Sequence, residues 1–212
     1  MELDESHFFR EATLRICGSL DVEKAMQRCL QFLARYLPAT HLAFHIYDRE
    51  LGIVETVALA KIDSARSMAL RTPLSAQGRQ QVEDQRTLRT KLVARAADDA
   101  VAGPVARQLG AENRSVLILD LALEGNFVGT VSVFSEVDIR FNHHHVKLIS
   151  MLNEPFAIAL ANSLRYRELQ ALQDMLADDN RYLQDELRSI TGEAVIGAEF
   201  GLRPVMDLVR QV

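Results

Sequence analysis

Histidine has the widest chemistry of the residue types in this sequence, because it can bind a metal ion, transfer a proton or hydrogen-bond a ligand. Three of the six histidines, His143, His144 and His145, are consecutive. Consecutive helical side chains point about 100° apart, so these three do not converge on one ion. His41 and His45 share a strand face but lie roughly 13 Å apart, because each residue advances the strand by about 3.3 Å. The spacing predicts exposed histidines in a first helical turn and no metal site.

Four side chains are candidates for contacting a small molecule: His45, Tyr47, Arg95 and Phe134. His45 and Tyr47 alternate with apolar residues on a predicted strand, and they face a pocket if those apolar residues face helices. The sequence leaves this choice open, because either face of such a sheet can be buried. The strand that contains Phe134 alternates in the same way, so one of its two faces should line the pocket.

The loop expected to edge this pocket contains two adjacent carboxylates, Asp98 and Asp99, close to Arg95 in sequence. Aspartate side chains are found mostly on protein surfaces. We therefore interpret both as solvated surface charges.

Nothing in the sequence supports catalysis. It has no GxSxG elbow, HExxH, CxxC or GxxxxGK[ST] motif, so it does not bind or hydrolyse ATP through a Walker A loop. Cys17 and Cys29 fall in segments of helical periodicity, and we interpret them as small buried hydrophobes in a reducing compartment. The chain is predicted not to be an enzyme.

Composition narrows the class of protein further. The chain has 212 residues, 48% of them apolar, with a net charge of −5. An acidic balance provides no positive field for a nucleic-acid backbone. No secretion signal is visible, and no stretch approaches the roughly 18 apolar residues of a membrane span. We expect a cytoplasmic location and contact with neither membrane nor nucleic acid.

Two helices are predicted to precede a sheet region. Apolar residues recur at helical spacing over 3–19 and over 21–37. Asp21 is a good N-cap for the second helix, and Pro38 ends it. The sheet region follows over 40–135.

Two hairpins frame the sheet region. The first joins residues 41–47 to 53–60, and the second joins 115–123 to 126–135 around Glu124 and Gly125. Residues 61–113 between them are less regular. Within them we predict a short helix near 76–85, a strand near 88–94 and one helical turn near 104–109.

A long helix is predicted after the second hairpin. Asn142 caps it, nothing ends it before Ile190, and Pro155 should bend it. Its second half carries a seam from Leu169 to Ile190 with steps of three, four, four, three, four and three residues, typical of a coiled coil with a stutter. We predict a parallel homodimer; the alternative is a seam folded back on its own domain. The dimerisation residues are Leu169, Leu172, Leu176, Asn180, Leu183 and Leu187.

The order helix, helix, hairpin, irregular segment, hairpin, long helix resembles that of a GAF domain. The most specific match is 125–164, where Val128-Gly129-Thr130-Val131, Phe141 and an Ala/Ile-rich helix before Asn162 resemble the closing segment of the family. The resemblance implies an α+β fold over 1–164, with an antiparallel sheet, a helical layer on one face and a ligand pocket on the other. The residue set that marks cyclic-nucleotide GAF domains is absent. No cysteine lies in the pocket region, so a thioether-linked bilin is not expected, and the ligand is unknown.

The tail resembles the beginning of the AAA+ ATPase domain of sigma-54-dependent activators. Ile196-Gly197 and the later run from Pro204 to Val212 carry this resemblance, while Glu199-Phe200-Gly201 departs from the usual Ser-Pro turn. It implies a coiled-coil signalling helix over 165–191, then a linker and a truncated ATPase domain over 192–212. The full-length parent would be an ATPase that contacts sigma-54 RNA polymerase and DNA through other domains.

Three functions follow as hypotheses. The favoured one is a ligand-sensing regulatory region that controls the ATPase through the dimeric helix in response to a small-molecule effector. The alternative is a ligand-free GAF domain for dimerisation alone, with Phe127, Phe134 and Met68 filling its pocket. A reductase of the GAF fold ranks third, because both cysteines lie in helices.

Overall fold

The computed structural model describes residues 4–19, 21–84 and 90–191, with side chains described as far as residue 187. The chain divides into two compact units between Leu164 and Arg165. The predicted AAA+ segment at 192–212 lies outside the described residues.

The first unit begins with two helices, α1 (Glu5–Cys17) and α2 (Val22–Leu33). The carboxylate of Asp21 accepts a hydrogen bond from the Lys24 amide at 2.9 Å, as expected for the N-cap of α2. The helix ends four residues earlier than predicted. Tighter bonds from Arg35 N to Phe32 O and from Tyr36 N to Leu33 O replace the helical pattern there.

Six antiparallel strands form one sheet in the order β3-β2-β1-β6-β5-β4. Both predicted hairpins are confirmed, as β1–β2 and β5–β6. The strands are β1 (Ala39–Asp48), β2 (Ile53–Lys61), β3 (Ala65–Pro73), β4 (Thr90–Val93), β5 (Arg114–Leu123) and β6 (Asn126–Val137).

The segment predicted to be irregular is more ordered than its sequence indicates. Strand β3 was not predicted, because it lies at the sheet edge and exposes most of its side chains, which removes the apolar alternation. Helix α3 (Ala76–Asp84) is confirmed, and α4 (Ala102–Leu109) has two turns where one was predicted. A single 3₁₀ turn, Ala96–Asp98, precedes α4.

The two faces of the sheet contribute to separate apolar cores. Leu42 and Phe44 of β1 pack in the core that also contains residues of α1, α2 and the last two helices. Ala43 of β1 and Phe134 of β6 belong to a second core with α4. The alternation along each central strand therefore divides its side chains between the two cores.

The predicted continuous helix after Asn142 is wrong. The structure has two helices, α5 (His143–Ser150) and α6 (Asn153–Thr191). Pro155 is the third residue of α6 and not an interior residue, and the first turn of a helix tolerates proline because its N–H groups have no helical partner. The restart of the helix therefore replaces the expected bend.

The α+β fold class is confirmed, with its antiparallel sheet and long C-terminal helix. Side chains of α6 up to Leu160 enter the first core, including Phe156 and Ala157.

Beyond Leu164, the apolar residues of the predicted seam are between 45% and 64% exposed: Leu169, Leu172, Leu176, Leu183 and Leu187. No helix among the described residues combines the length and hydrophobicity required to cross a bilayer.

Candidate ligand cavity

A cavity of about 670 Å³ lies between α3, α4 and the sheet face opposite to α1 and α2. This volume is within the range of about 300–1,000 Å³ that is typical of small-molecule sites. Much of its wall is apolar, with contributions from Val54, Val82, Val101, Val105, Ile118 and Phe134. The cavity is large enough for a molecule of metabolite size.

His45 is the one polar side chain of the described cavity wall with a buried and unsatisfied nitrogen. Its ring is 3% exposed, and its Nδ1 lies 3.0 Å from the hydroxyl of Thr56. Its Nε2 has no hydrogen-bond partner. A register shift on β2 places Phe44 opposite Ala58 but His45 opposite Thr56, so the bulge aligns the ring with the hydroxyl.

Three of the four predicted ligand-binding residues line this cavity. His45, Tyr47 and Phe134 come from the central strands β1 and β6, and they share the sheet face that the sequence left undecided. Arg95 is not among the lining residues. Its guanidinium donates to Asn113 Oδ1 at 3.0 Å, and its side chain is 55% exposed. The binding roles of the three lining residues stay predictions.

The surface interpretation is wrong for Asp99 and right for Asp98. Asp98 is 69% exposed, but the Asp99 side chain is only 9% exposed and lines the cavity. The Asp99 carboxylate accepts from the backbone amides of Val101 and Ala102, at 3.0 and 2.8 Å, and caps α4. It also pairs with the Lys91 ammonium.

The pKa of Asp99 results from two opposed effects. Burial of the carboxyl acts to raise its pKa, but hydrogen bonds from Ala102, Lys91, Gln81 and Val101 stabilise the charged form and hold the pKa below its ordinary value. Asp99 is therefore ionised at neutral pH.

A second ion pair occupies the rim. Arg49 Nε lies 2.9 Å from Glu83 Oε1, joining the end of the first hairpin to α3. Both residues contribute to the cavity lining. Each of the two basic residues in the described lining is thus paired with a carboxylate.

The two buried histidines of β1 are neutral. Burial lowers the pKa of His45 to about 4. Burial, followed by the charges of Arg114 and Lys61, also lowers the pKa of His41 to about 4. A histidine in the unfolded chain has a pKa near 6.5, so between about pH 6.5 and 4 the unfolded chain binds protons that the folded chain does not bind. The contribution of each neutral ring to the free energy of unfolding is fully present above about pH 6.5 and is lost as the pH falls towards 4.

We expect His45→Gln to weaken the acid sensitivity of folding. Between pH 7.5 and pH 5.0, the neutral ring accounts for a loss of about 2 kcal/mol in the free energy of unfolding. Urea unfolding at the two pH values measures this loss, and the double variant His41→Gln/His45→Gln should remove about twice as much. An unchanged pH dependence in both variants would contradict the burial of neutral rings.

The remaining histidines and the cysteines do not contribute to the cavity lining. His145 accepts the Asn142 amide through Nδ1 at 3.2 Å, while Asn142 Oδ1 accepts the His145 amide, so the pair forms a capping box for α5. Cys29 is buried, and burial raises the pKa of its thiol to about 12. Cys17 is exposed, and its Sγ lies 3.6 Å from the carbonyl of Pro155.

A six-stranded antiparallel sheet with helices on one face and a cavity on the other has the fold of a GAF domain. No protein-family model matches the sequence, and no curated protein matches it either. Among solved structures, the phycoerythrobilin-bound GAF domain of a cyanobacterial phytochrome has a TM-score of 0.52 at 14% identity, covering 79% of this chain and 100% of that one.

Two further solved structures are similar. The GAF domain of A. aeolicus nlh2 in an inactive state has a TM-score of 0.50 at 15% identity, covering 74% of this chain and 95% of that one. The bacteriophytochrome RpBphP3 from R. palustris has a TM-score of 0.53 at 11% identity, covering 98% of this chain and 47% of that one. At these identities the likeness shows the GAF fold alone.

Proposed function

We propose that this chain is the ligand-sensing regulatory region of a sigma-54-dependent transcription activator. A small-molecule effector binds in the cavity, and a homodimer formed through α6 passes the bound state to an AAA+ ATPase domain. The cavity carries this proposal, because it combines the volume of a ligand site with a buried imidazole nitrogen that has no partner in the protein. The solved structure bound to phycoerythrobilin illustrates that a domain of this fold can hold a small molecule.

Contacts within the first unit connect the cavity to the beginning of α6. Asp120 on β5 lines the cavity, and its backbone carbonyl accepts a hydrogen bond from the side-chain Nδ2 of Asn153 at 2.6 Å. Asn153 is the first residue of α6. Phe134 faces the cavity while its neighbour Val133 faces the core that includes Phe156. A ligand that binds two arrangements of this sheet unequally would shift their populations and move the helix.

The exposed seam of α6 supports the dimer. Five leucines of one helix are about half exposed or more, and a stripe of this kind at coiled-coil spacing is covered when a second copy packs against it. The stutter adds a locally unwound region that is compatible with two registers. The assignment to sigma-54-dependent activation rests on the sequence resemblance of residues 192–212 and on no structural feature.

The alternative function is dimerisation without a ligand. It required Phe127, Phe134 and Met68 to fill the cavity. Phe134 and Phe127 both lie in the cavity wall, and Met68 is not among the lining residues. Phe127 is 53% exposed, and about 670 Å³ stays open beside the two rings. The open volume favours the sensing function.

Native mass spectrometry of the purified chain tests both parts of the proposal. We expect a mass of two chains, with a retained small molecule or with a ligand-dependent rise in Tm across a panel of metabolites. The double variant Leu176→Lys/Leu183→Lys should produce monomers, because it places four like charges within the seam of the pair.

The matched control is Gln173→Lys, which adds a charge at an exposed position of α6 outside the seam. It should leave the chain dimeric. A monomeric unmodified chain would contradict the signalling scheme, and a dimer that never binds a small molecule would favour the dimerisation function.

A further inference from the structure

We propose that the cavity selects an uncharged, mainly apolar molecule whose polar group hydrogen-bonds with Nε2 of His45. This inference rests on the proposed sensing function and specifies its ligand class. Two observations carry it. The Nε2 atom of His45 has no hydrogen-bond partner, and both basic side chains of the described cavity wall are paired with carboxylates.

The imidazole of His45 is fixed in position and incomplete. Thr56 holds Nδ1, and backbone pairing on both sides holds the strand, with Thr130 opposite His45 on β6. A buried polar atom without a partner is unusual in a folded protein, and a ligand group is one explanation for it. Because Nδ1 is hydrogen-bonded to the Thr56 hydroxyl, Nε2 is left as one hydrogen-bond donor or acceptor with a fixed direction. The ring is neutral, so it offers a hydrogen bond and no charge.

The basic side chains in the wall do not offer a free charge to an anion. The Lys91 ammonium is paired with Asp99, and the guanidinium of Arg49 is paired with Glu83. An anionic ligand would have to displace a carboxylate from one of these cations, and the displaced carboxylate would then need a new partner.

The N-terminus of α4 is also occupied. Backbone amides at a helix N-terminus commonly bind anions, but the amide of Val101, just before α4, and that of Ala102, its first residue, already donate to the Asp99 carboxylate. Asp99 therefore neutralises both the lysine and the helix end. A cationic ligand also finds no free negative charge at Asp99 or Glu83, because both carboxylates are paired with cations. Asp120, the remaining carboxylate of the described lining, already takes part in another interaction.

The walls favour an apolar body for the ligand. Phe134, Ile118 and Val105 line the space, and the hydroxyl of Ser132 adds a small polar point on the same strand as Phe134. Burying apolar surface in this space is favourable, whereas burying an unpaired charge beside it is costly. The cavity should therefore discriminate by charge more strongly than by shape.

Three isosteric probes test the charge preference directly: 2-naphthamide, 2-naphthoate and 2-naphthamidine, which carry charges of zero, minus one and plus one at pH 7. We expect the amide to bind at least about tenfold more tightly than either ion, as measured by the fluorescence of the naphthalene ring. In protein labelled with ¹⁵N-histidine, the amide should shift the Nε2 signal of His45 and leave the signals of His41 in place.

Two variants separate the contributions. Asp99→Asn retains a side-chain oxygen for the amides of Val101 and Ala102 but frees the charge of Lys91, so it should raise the affinity for 2-naphthoate by about tenfold. His45→Phe removes Nε2 while keeping an aromatic ring, and it should weaken the binding of 2-naphthamide by about tenfold. His41→Gln is the matched control, because His41 is a buried histidine of the same strand outside the cavity lining, and it should change neither affinity.

Equal or tighter binding of 2-naphthoate by the unmodified chain would overturn the charge preference while leaving a small-molecule site in place. Binding of 2-naphthamide that survives His45→Phe unchanged would overturn the role of Nε2. Failure of all three probes to bind would overturn the ligand class, and native mass spectrometry would still decide the sensing function separately.

Discussion

Gly129→Ala should destabilise the folded chain by about 3 kcal/mol. A β-carbon built at this position lies 2.4 Å from the backbone carbonyl oxygen of His45 and 2.7 Å from a methyl group of Leu160. The leucine can change rotamer, but the carbonyl belongs to the neighbouring strand β1, so the extra methyl forces the two central strands apart. Thermal or urea unfolding measures the loss.

Gly125→Ala is the matched control for this substitution. Gly125 has a φ of +81°, and nothing lies within 4 Å of an added β-carbon there. Its cost is limited to the unfavourable backbone conformation, about 1 kcal/mol. A loss for Gly129→Ala no larger than that of Gly125→Ala would show that β1 and β6 do not approach so closely.

Asp99→Ala is expected to have the second largest effect, a loss of about 2 to 3 kcal/mol in the free energy of unfolding. The substitution removes the cap of α4 and leaves the Lys91 ammonium without its carboxylate. This loss is smaller than the cost of breaking a fully buried ion pair, because the Lys91 side chain is 31% exposed. Urea unfolding at neutral pH, where the carboxylate is charged, measures it.

The neighbouring carboxylate provides the control. Asp98 is 69% exposed and lies 3.9 Å from Arg95, so Asp98→Ala should change stability by less than about 0.5 kcal/mol. Similar losses for the two aspartates would contradict the assignment of Asp99 as cap and ion-pair partner. Asp99→Asn should fall between them, because its side-chain oxygen can still cap the helix.

The parts of the fold that could be predicted are those in which local sequence and burial agree. Asp21 begins α2 as expected, and the hairpin at Glu124 and Gly125 has the positive φ values that its turn requires. The break between α5 and α6 was not predicted, because the apolar periodicity continues across Met151 and Leu152. Strand β3 was missed because an edge strand with exposed side chains lacks a periodic signal.

The candidate site was predicted where strand alternation decides it. The faces of His45, Tyr47 and Phe134 follow from their neighbours once the face of β1 is known. The partners that fix the chemistry come from distant segments, and no local pattern connects them. Thr56 meets His45 only because of a bulge on β2, and Asp99 meets Lys91 across a loop. A polar residue shortly before an apolar helical segment was the available signal for Asp99 as a residue that caps α4.

The difference between the two thiols makes the native chain directly usable for spectroscopy. The sequence has two cysteines; Cys29 is sealed in the core with a pKa of about 12, while Cys17 is exposed. Partial burial also raises the pKa of Cys17 above its ordinary value, so at mildly alkaline pH an alkylating nitroxide or fluorophore should attach at Cys17 alone without any engineered substitution. Because Cys17 lies against the carbonyl of Pro155, the label would report on the first turn of α6, and in a homodimer it would provide a single distance between the two copies.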